Sequence, residues 1–169
     1  MKKLLAVAAP LLVLSTPAFA DTTAWTGVSA GFNLDGGGVT VTGYLGADTD
    51  LSDNAFIGFG VGAGDSGAEE CLGLACAYAG RELLAEVRVG GQSKNGLKYY
   101  AIAGYSNIKF SGEYAGTQVL TYKTDGITGG AGIEIPIGSK TFTRVEFRYT
   151  DYGEDGHSTS VLPTIGFKF

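Results

Sequence analysis

Residues 126–153 read GITGGAGIEIPIGSKTFTRVEFRYTDYG, and two runs of strict alternation lie inside them. Ile127, Gly129, Ala131, Ile133 and Ile135 share one side of the first; Thr128, Gly130, Gly132 and Glu134 share the other. In the second, Thr143, Val145, Phe147 and Tyr149 oppose Phe142, Arg144, Glu146, Arg148 and Thr150. A side-chain period of two marks a strand whose two faces meet unlike surroundings. Between the runs Pro136 to Lys140 reads as a tight turn, because proline lacks the ladder N–H and Gly-Ser favours turn geometry. The stretch is a hairpin with one apolar face and one face of small, polar or charged groups.

The same contrast recurs along the chain and gives eight runs: 25–34, 39–47, 55–64, 81–90, 97–106, 127–135, 142–150 and 161–169. In residues 81–90 helix-forming residues are plentiful, but Leu83, Ala85, Val87 and Val89 alternate with Glu82, Leu84, Glu86 and Arg88, so a strand is expected. The links at 48–54, 92–96 and 136–140 read as short turns. Residues 65–80 and 107–125 read as long connections, the first holding both cysteines, and 152–160 as a polar loop. Short turns at one rim and longer loops at the other are the asymmetry of a transmembrane barrel.

The first twenty residues stand apart. Lys2 and Lys3, an apolar stretch from Leu4 to Leu14 and a small-x-small site at Ala18-Phe19-Ala20 form an export signal cleaved before Asp21. The barrel domain is then residues 21–169, a single-domain length. Without the two signal lysines it holds ten basic and seventeen acidic side chains, net −7, and no basic cluster, which argues against a nucleic-acid partner. The 28 glycines are spread through the alternating runs; glycine weakens a strand, so bulk must be excluded from one face.

Alternation does not say which face is outside. A soluble periplasmic barrel would turn its apolar residues inward; an outer-membrane barrel does the reverse. The polar face is mostly small, as the crowded inside of an eight-stranded barrel requires. Its charges come in both signs, Glu86, Arg88, Lys98, Glu134, Arg144, Glu146, Arg148 and Lys168, and enclosed charges must be paired or solvated. Tyr99, Tyr105, Tyr149 and Phe169 stand near strand ends on the apolar face, as an interfacial girdle does. These features favour an all-β, eight-stranded, antiparallel up-and-down transmembrane β-barrel with the apolar face toward lipid.

Gly130-Ala-Gly-Ile-Glu134, Val145-Glu-Phe-Arg-Tyr-Thr-Asp-Tyr-Gly153 and a last strand ending on Phe169 resemble the outer membrane protein beta-barrel family of Gram-negative bacteria, the small OmpA/OmpX/opacity-like barrels. The resemblance implies an outer-membrane location, with the N-terminus and short turns on the periplasmic side. It also implies that Phe167 and Phe169 act as the signal read by the barrel-assembly machinery. Where the family places glycine five residues before the end, this chain has Thr164, with Gly166 instead.

Glu86, Arg88, Glu134, Arg144, Glu146, Arg148 and Lys168 are expected to form a lumen charge network, either a static plug or the gate of a narrow channel. Cys71 and Cys76, spaced C-x4-C in an exported protein, are expected to form a disulfide. His157 with Ser158, Ser160 and Glu154 could suggest a hydrolase, but loop spacing guarantees no triad geometry. No metal-ligand set or cofactor motif is present. The expected function is therefore a non-enzymatic structural or surface-interaction protein, probed at its long loops by a surface ligand, held in outer-membrane lipid and monomeric. The alternatives are a narrow low-conductance porin, a lipid-A-modifying hydrolase, or a soluble periplasmic barrel.

Overall fold

The computed structural model describes residues 22–35 and 37–169; the expected signal, residues 1–20, lies outside them. Eight strands follow one another: β1 (Thr22–Asn33), β2 (Val39–Ser52), β3 (Ala55–Leu72), β4 (Ala75–Gln92), β5 (Lys98–Tyr114), β6 (Thr117–Pro136), β7 (Thr141–Asp151) and β8 (His157–Lys168). Each pairs antiparallel with its neighbour in sequence, and β8 closes on β1. Closure leaves no unpaired strand edge around the wall, which is what allows strands to cross a bilayer.

The outward side of the wall is apolar. Val28, Phe32, Leu45, Phe59, Val61, Val87, Ile127, Ile133, Phe147, Ile165 and Phe167 all stand exposed there. On β6 the lipid-facing run from Ile127 to Ile135 spans about nine residues, the length a tilted strand needs. Tyr99, Tyr105 and Tyr149 are exposed near the ends of this band. Immediately above it the outward positions turn polar: Asp65 opposite Arg81, Asn107 opposite Asp125, and Asp151 opposite Ile127. Charged and apolar faces thus take the inside-out arrangement of a membrane barrel.

Two expectations about the strands are corrected. Residues 65–80 and 107–125 are not loose connections. They are the upper halves of the β3–β4 and β5–β6 hairpins, which turn at Gly73–Leu74 and Ala115–Gly116. Likewise, β2 runs through most of the expected 48–54 turn and ends at Ser52. Four register shifts, between Asp50 and Ser52, Asp65 and Ala68, Ala79 and Glu82, and Gly112 and Glu113, interrupt the pairing, and bulges break the period of two from which strands are read.

The inward face is rich in small residues, Ser29, Thr42, Ser106 and several glycines among them, and large rings are set between these: Trp25, Tyr44, Phe56, Tyr100 and Phe142 are all buried. Glycines lie opposite them on neighbouring strands, with Trp25 facing Gly46, Tyr44 facing Gly62, Tyr100 facing Gly132 and Phe142 facing Gly166. A Cβ on Gly46 would fall 2.3 Å from the Trp25 ring, one on Gly166 2.2 Å from Phe142, and one on Gly132 2.6 Å from Tyr100. The glycines are needed because specific rings lie flat across them.

Candidate functional site

The barrel interior holds a continuous chain of opposite charges. Lys98 on β5 reaches Asp48 on β2 at 2.7 Å, and Asp48 meets Arg88 on β4 at 2.5 Å. Arg88 stands 3.9 Å from Glu134 on β6, which also binds Arg144 on β7 and Lys168 on β8, each at 2.7 Å. Arg144 lies 3.6 Å from Glu146, and Arg148 joins Glu146 at 2.5 Å to Glu86 at 2.6 Å. Tyr100 adds a hydrogen bond from its phenol to Glu146 at 2.8 Å.

Local sequence explains the convergence. Glu134 and Arg144 face each other directly across the β6–β7 ladder, as do Gly132 and Glu146. Glu146 and Arg148 are two apart on one strand, so both point inward. β3 supplies no charge to this level; it supplies room. A Cβ on Gly58 would lie 2.3 Å from Oδ1 of Asp48, and one on Gly60 3.2 Å from Oε1 of Glu86.

The structure places all seven sequence-selected lumen residues inside this wall, with Lys98 of the same polar face at the short-turn end of the chain of pairs, and adds one residue, Asp48. Asp48 falls in the expected 48–54 turn, yet it is 2 % exposed and accepts from Trp25 Nε1 at 3.2 Å as well as from Arg88 and Lys98. Its misplacement follows from the polar sequence DTDLSDN around it, which masks a strand end. Trp25 is the other centre: the guanidinium carbons of Arg88 and Arg144 each lie 4.3 Å from its ring centroid, within cation–π range. Among the described residues the ion-paired interior set is five cations against four carboxylates (Asp48, Glu86, Glu134 and Glu146), and Glu82 adds a fifth interior carboxylate that accepts from Ser106.

Above this layer the interior changes to hydroxyls. Asn33, Thr40, Thr42, Tyr44, Ser66, Thr128 and Thr150 line a narrow polar hollow with Arg148 at its floor. The space there is about 20 Å³, room for about one water.

Cys71 and Cys76 are joined in a disulfide. They are direct partners across β3 and β4, two residues below the Gly73–Leu74 turn, so the bond pins the tip of a hairpin. His157 begins β8 and stacks on Tyr149 at 5.6 Å between ring centroids; no hydrogen bond joins it to Ser158, Ser160 or Glu154 among the described residues. None of the described residues form a group of three or more metal-binding side chains.

An eight-stranded closed barrel, apolar outside and ion-paired inside, is an outer-membrane barrel by its physics. Residues 6–169 match the family model described as outer membrane protein beta-barrel domain, and the chain belongs to that family. Its location is the outer membrane. Ail, the attachment invasion locus protein of Yersinia pestis, is similar in structure, with a TM-score of 0.65 at 12 % identity, covering 88 % of this chain and 98 % of Ail. Neisserial surface protein A gives 0.57 at 12 % identity, covering 88 % and 96 %. The N-terminal β-barrel domain of Pseudomonas aeruginosa OprF gives 0.56 at 16 % identity, covering 87 % and 97 %. At these identities the likeness is one of fold. No curated protein matches the sequence.

Proposed function

We propose that this protein is a non-enzymatic surface-interaction protein whose lumen is plugged and whose binding face is the part of the barrel that rises above the membrane. The carrying observation is the height of β3–β6. Pairing between β2 and β3 stops at Asp65, and pairing between β6 and β7 stops at Ile127, yet β3–β4–β5–β6 continue as a four-stranded sheet. From Ile127 to Thr117 this extension climbs about 25 Å, at about 3.3 Å per residue along tilted strands.

Its side toward the barrel mouth is apolar. Phe110 stacks on Tyr122 at 5.5 Å and meets Tyr152 edge-on at 6.2 Å; Leu120, Tyr114 and Leu72 stand exposed higher up. β6 from Thr117 to Gly126 is an edge strand, with no pairing partner on the β7 side among the described residues. An open edge beside apolar side chains is suited to an extended polypeptide segment that adds as a further strand. The attachment invasion locus protein Ail was crystallised in complex with the heparin analogue sucrose octasulfate; this chain's apolar face favours a polypeptide over such a polyanion.

The plug reading rests on Trp25, Arg88, Arg144, Glu134 and Glu146, all essentially without solvent contact. Eight strands enclose about the volume their own side chains fill. Glu86, Arg88, Glu134, Arg144, Glu146, Arg148 and Lys168, with Asp48 and Lys98, would then act as a static closure. Residues 1–20 are assigned as the cleaved export signal and Phe167 and Phe169 as the assembly signal; the mass of the mature protein and the folding yield of Phe169→Ala test these. The main test is binding of extended peptides to nanodisc-embedded protein, with Thr121→Pro to block the β6 edge, because the odd-numbered residues of β6 direct their N–H away from β5. Expected is loss of peptide capture with an intact barrel; unchanged capture removes the edge from the proposal. Planar-bilayer recording tests the plug separately: steady single-channel currents would instead support the narrow porin.

A further inference from the structure

The twelve lysines and arginines sort by place. Lys2 and Lys3 precede the described residues. Arg88, Lys98, Arg144, Arg148 and Lys168 are engaged in the lumen. Lys94 and Lys140 lie on the short turns of the rim that carries both chain ends. The three that remain, Arg81, Lys109 and Lys123, gather on one patch of the outer wall.

Lys109 and Lys123 are direct partners across β5 and β6. Gly80 and Arg81 on β4 lie opposite Lys109, between the pairs Ala79–Phe110 and Glu82–Ile108. Lys109 shares the outward side with Tyr105 and Asn107, since Ile108 between them is buried. Like charges placed directly across a ladder repel, and the acidic chain has carboxylates to spare. Still, none of the three forms an ion pair among the described residues. Two outward carboxylates border the patch, Asp65 opposite Arg81 and Asp125 next to Lys123 on the outward side; they accept the Gly67 amide at 3.0 Å and the Asn107 amide at 2.7 Å, and leave the three cations in excess by one.

The level of the patch bears on which anion it suits. Arg81 is the next outward position above Leu83, and Lys123 stands two outward positions above Ile127, the last large lipid-facing residue of β6. That is a rise of about 10 Å, within the headgroup layer of the outer leaflet once long basic side chains bend back toward it. Ser111 and Thr121, paired one step higher, supply hydroxyl donors beside it. A ligand seated here touches both the three cations and the apolar wall below, which a soluble polyanion does not.

We propose that Arg81, Lys109 and Lys123 form a clamp for the phosphate groups of an outer-leaflet glycolipid. The site shares β6 with the edge assigned above but uses its outward side chains, so Lys109→Gln/Lys123→Gln leaves the mouth-side face and the edge backbone in place. The test uses the mature protein in phosphatidylcholine nanodiscs containing a minor fraction of diphosphorylated lipid A, with lipids retained on the released barrel read by native mass spectrometry. Retention of diphosphorylated over dephosphorylated lipid A is expected. It should fall about 5-fold for each lysine lost, so about 25-fold in Lys109→Gln/Lys123→Gln, and further with Arg81→Gln. Lys94→Gln/Lys140→Gln should retain lipid A like the parent, and heat-modifiable mobility confirms that each variant is folded. Equal retention by parent and Lys109→Gln/Lys123→Gln overturns the clamp. So does lysine-dependent binding of a soluble sulfated polysaccharide without preference for phosphorylated lipid, which would make the patch a polysaccharide site.

Discussion

Asp48 is the residue on which the short-turn half of the interior depends. It holds Arg88 and Lys98 and accepts the Trp25 indole N–H, and without it Lys98 has no carboxylate and Arg88 only Glu134 at 3.9 Å. Breaking a buried pair from one side costs about 3–5 kcal/mol, because the partner charge stays enclosed and unpaired. Asp48→Ala should lower stability by about that amount in urea unfolding from micelles, Asp48→Asn by less, and exposed Asp53→Ala by under about 0.5 kcal/mol. If Asp48→Ala matched Asp53→Ala, the interior would have to be hydrated enough to solvate Arg88. On the outer rim Asp125 makes a pH prediction. Hydrogen bonds from Tyr105 and then Asn107 hold its carboxyl below the ordinary value of 3.8. A lowered pKa means a contribution present above the unfolded value and lost as pH falls through the folded one. Carboxyl NMR should show Asp125 titrating below a free aspartate, and Tyr105→Phe should move it upward.

At the scale of the strand, what could be read depended on whether polarity followed the period of two. Within the lipid band it did: Ile127 to Ile135 and Thr143 to Tyr149 reveal their faces because lipid and lumen differ so sharply. The upper halves of β3–β6 were hidden for a physical reason. There the outward side becomes polar, with Lys109, Ser111, Thr121 and Lys123, while Phe110 and Tyr122 turn toward the mouth, and the register shifts near Ala79 and Gly112 break the alternation. The lumen was half legible. Its charges were visible by parity, but the cross-strand matching of Trp25 to Gly46 or Phe142 to Gly166 requires the register. Cys71 and Cys76 were legible because export and short spacing suffice. Their bond closes so small a ring that its chain-entropy contribution is about 2 kcal/mol, and it lies at the far tip of the extension, remote from the barrel wall. Reduction should therefore speed proteolysis near Gly73 and Leu74 while leaving heat-modifiable mobility unchanged. Loss of the folded band on reduction would mean that the hairpin tip supports the whole barrel.

For the molecule as a whole, Trp25 is a built-in reporter, being the chain's one tryptophan. It is 1 % exposed, faces the lumen and is packed against Phe142 at 6.3 Å between centroids, with two guanidinium groups over its ring. Tryptophan in a membrane protein is usually drawn to the bilayer interface, where its ring sits among headgroups; here it has the opposite address. In a plugged barrel, neutral acrylamide has no water-filled path to the indole, so quenching of the folded protein should be small and should rise steeply on unfolding in urea. In a conducting barrel the same quencher would enter the lumen and reach Trp25 while the protein remained folded. Gly58→Val provides the internal control, since a side chain there meets Asp48 Oδ1 and must displace it from the Trp25 N–H. This variant should keep the folded gel mobility yet shift the emission and admit more acrylamide. Strong quenching of the folded parent, equal to that of Gly58→Val, would mean that the paired charges line a hydrated pore and do not close it.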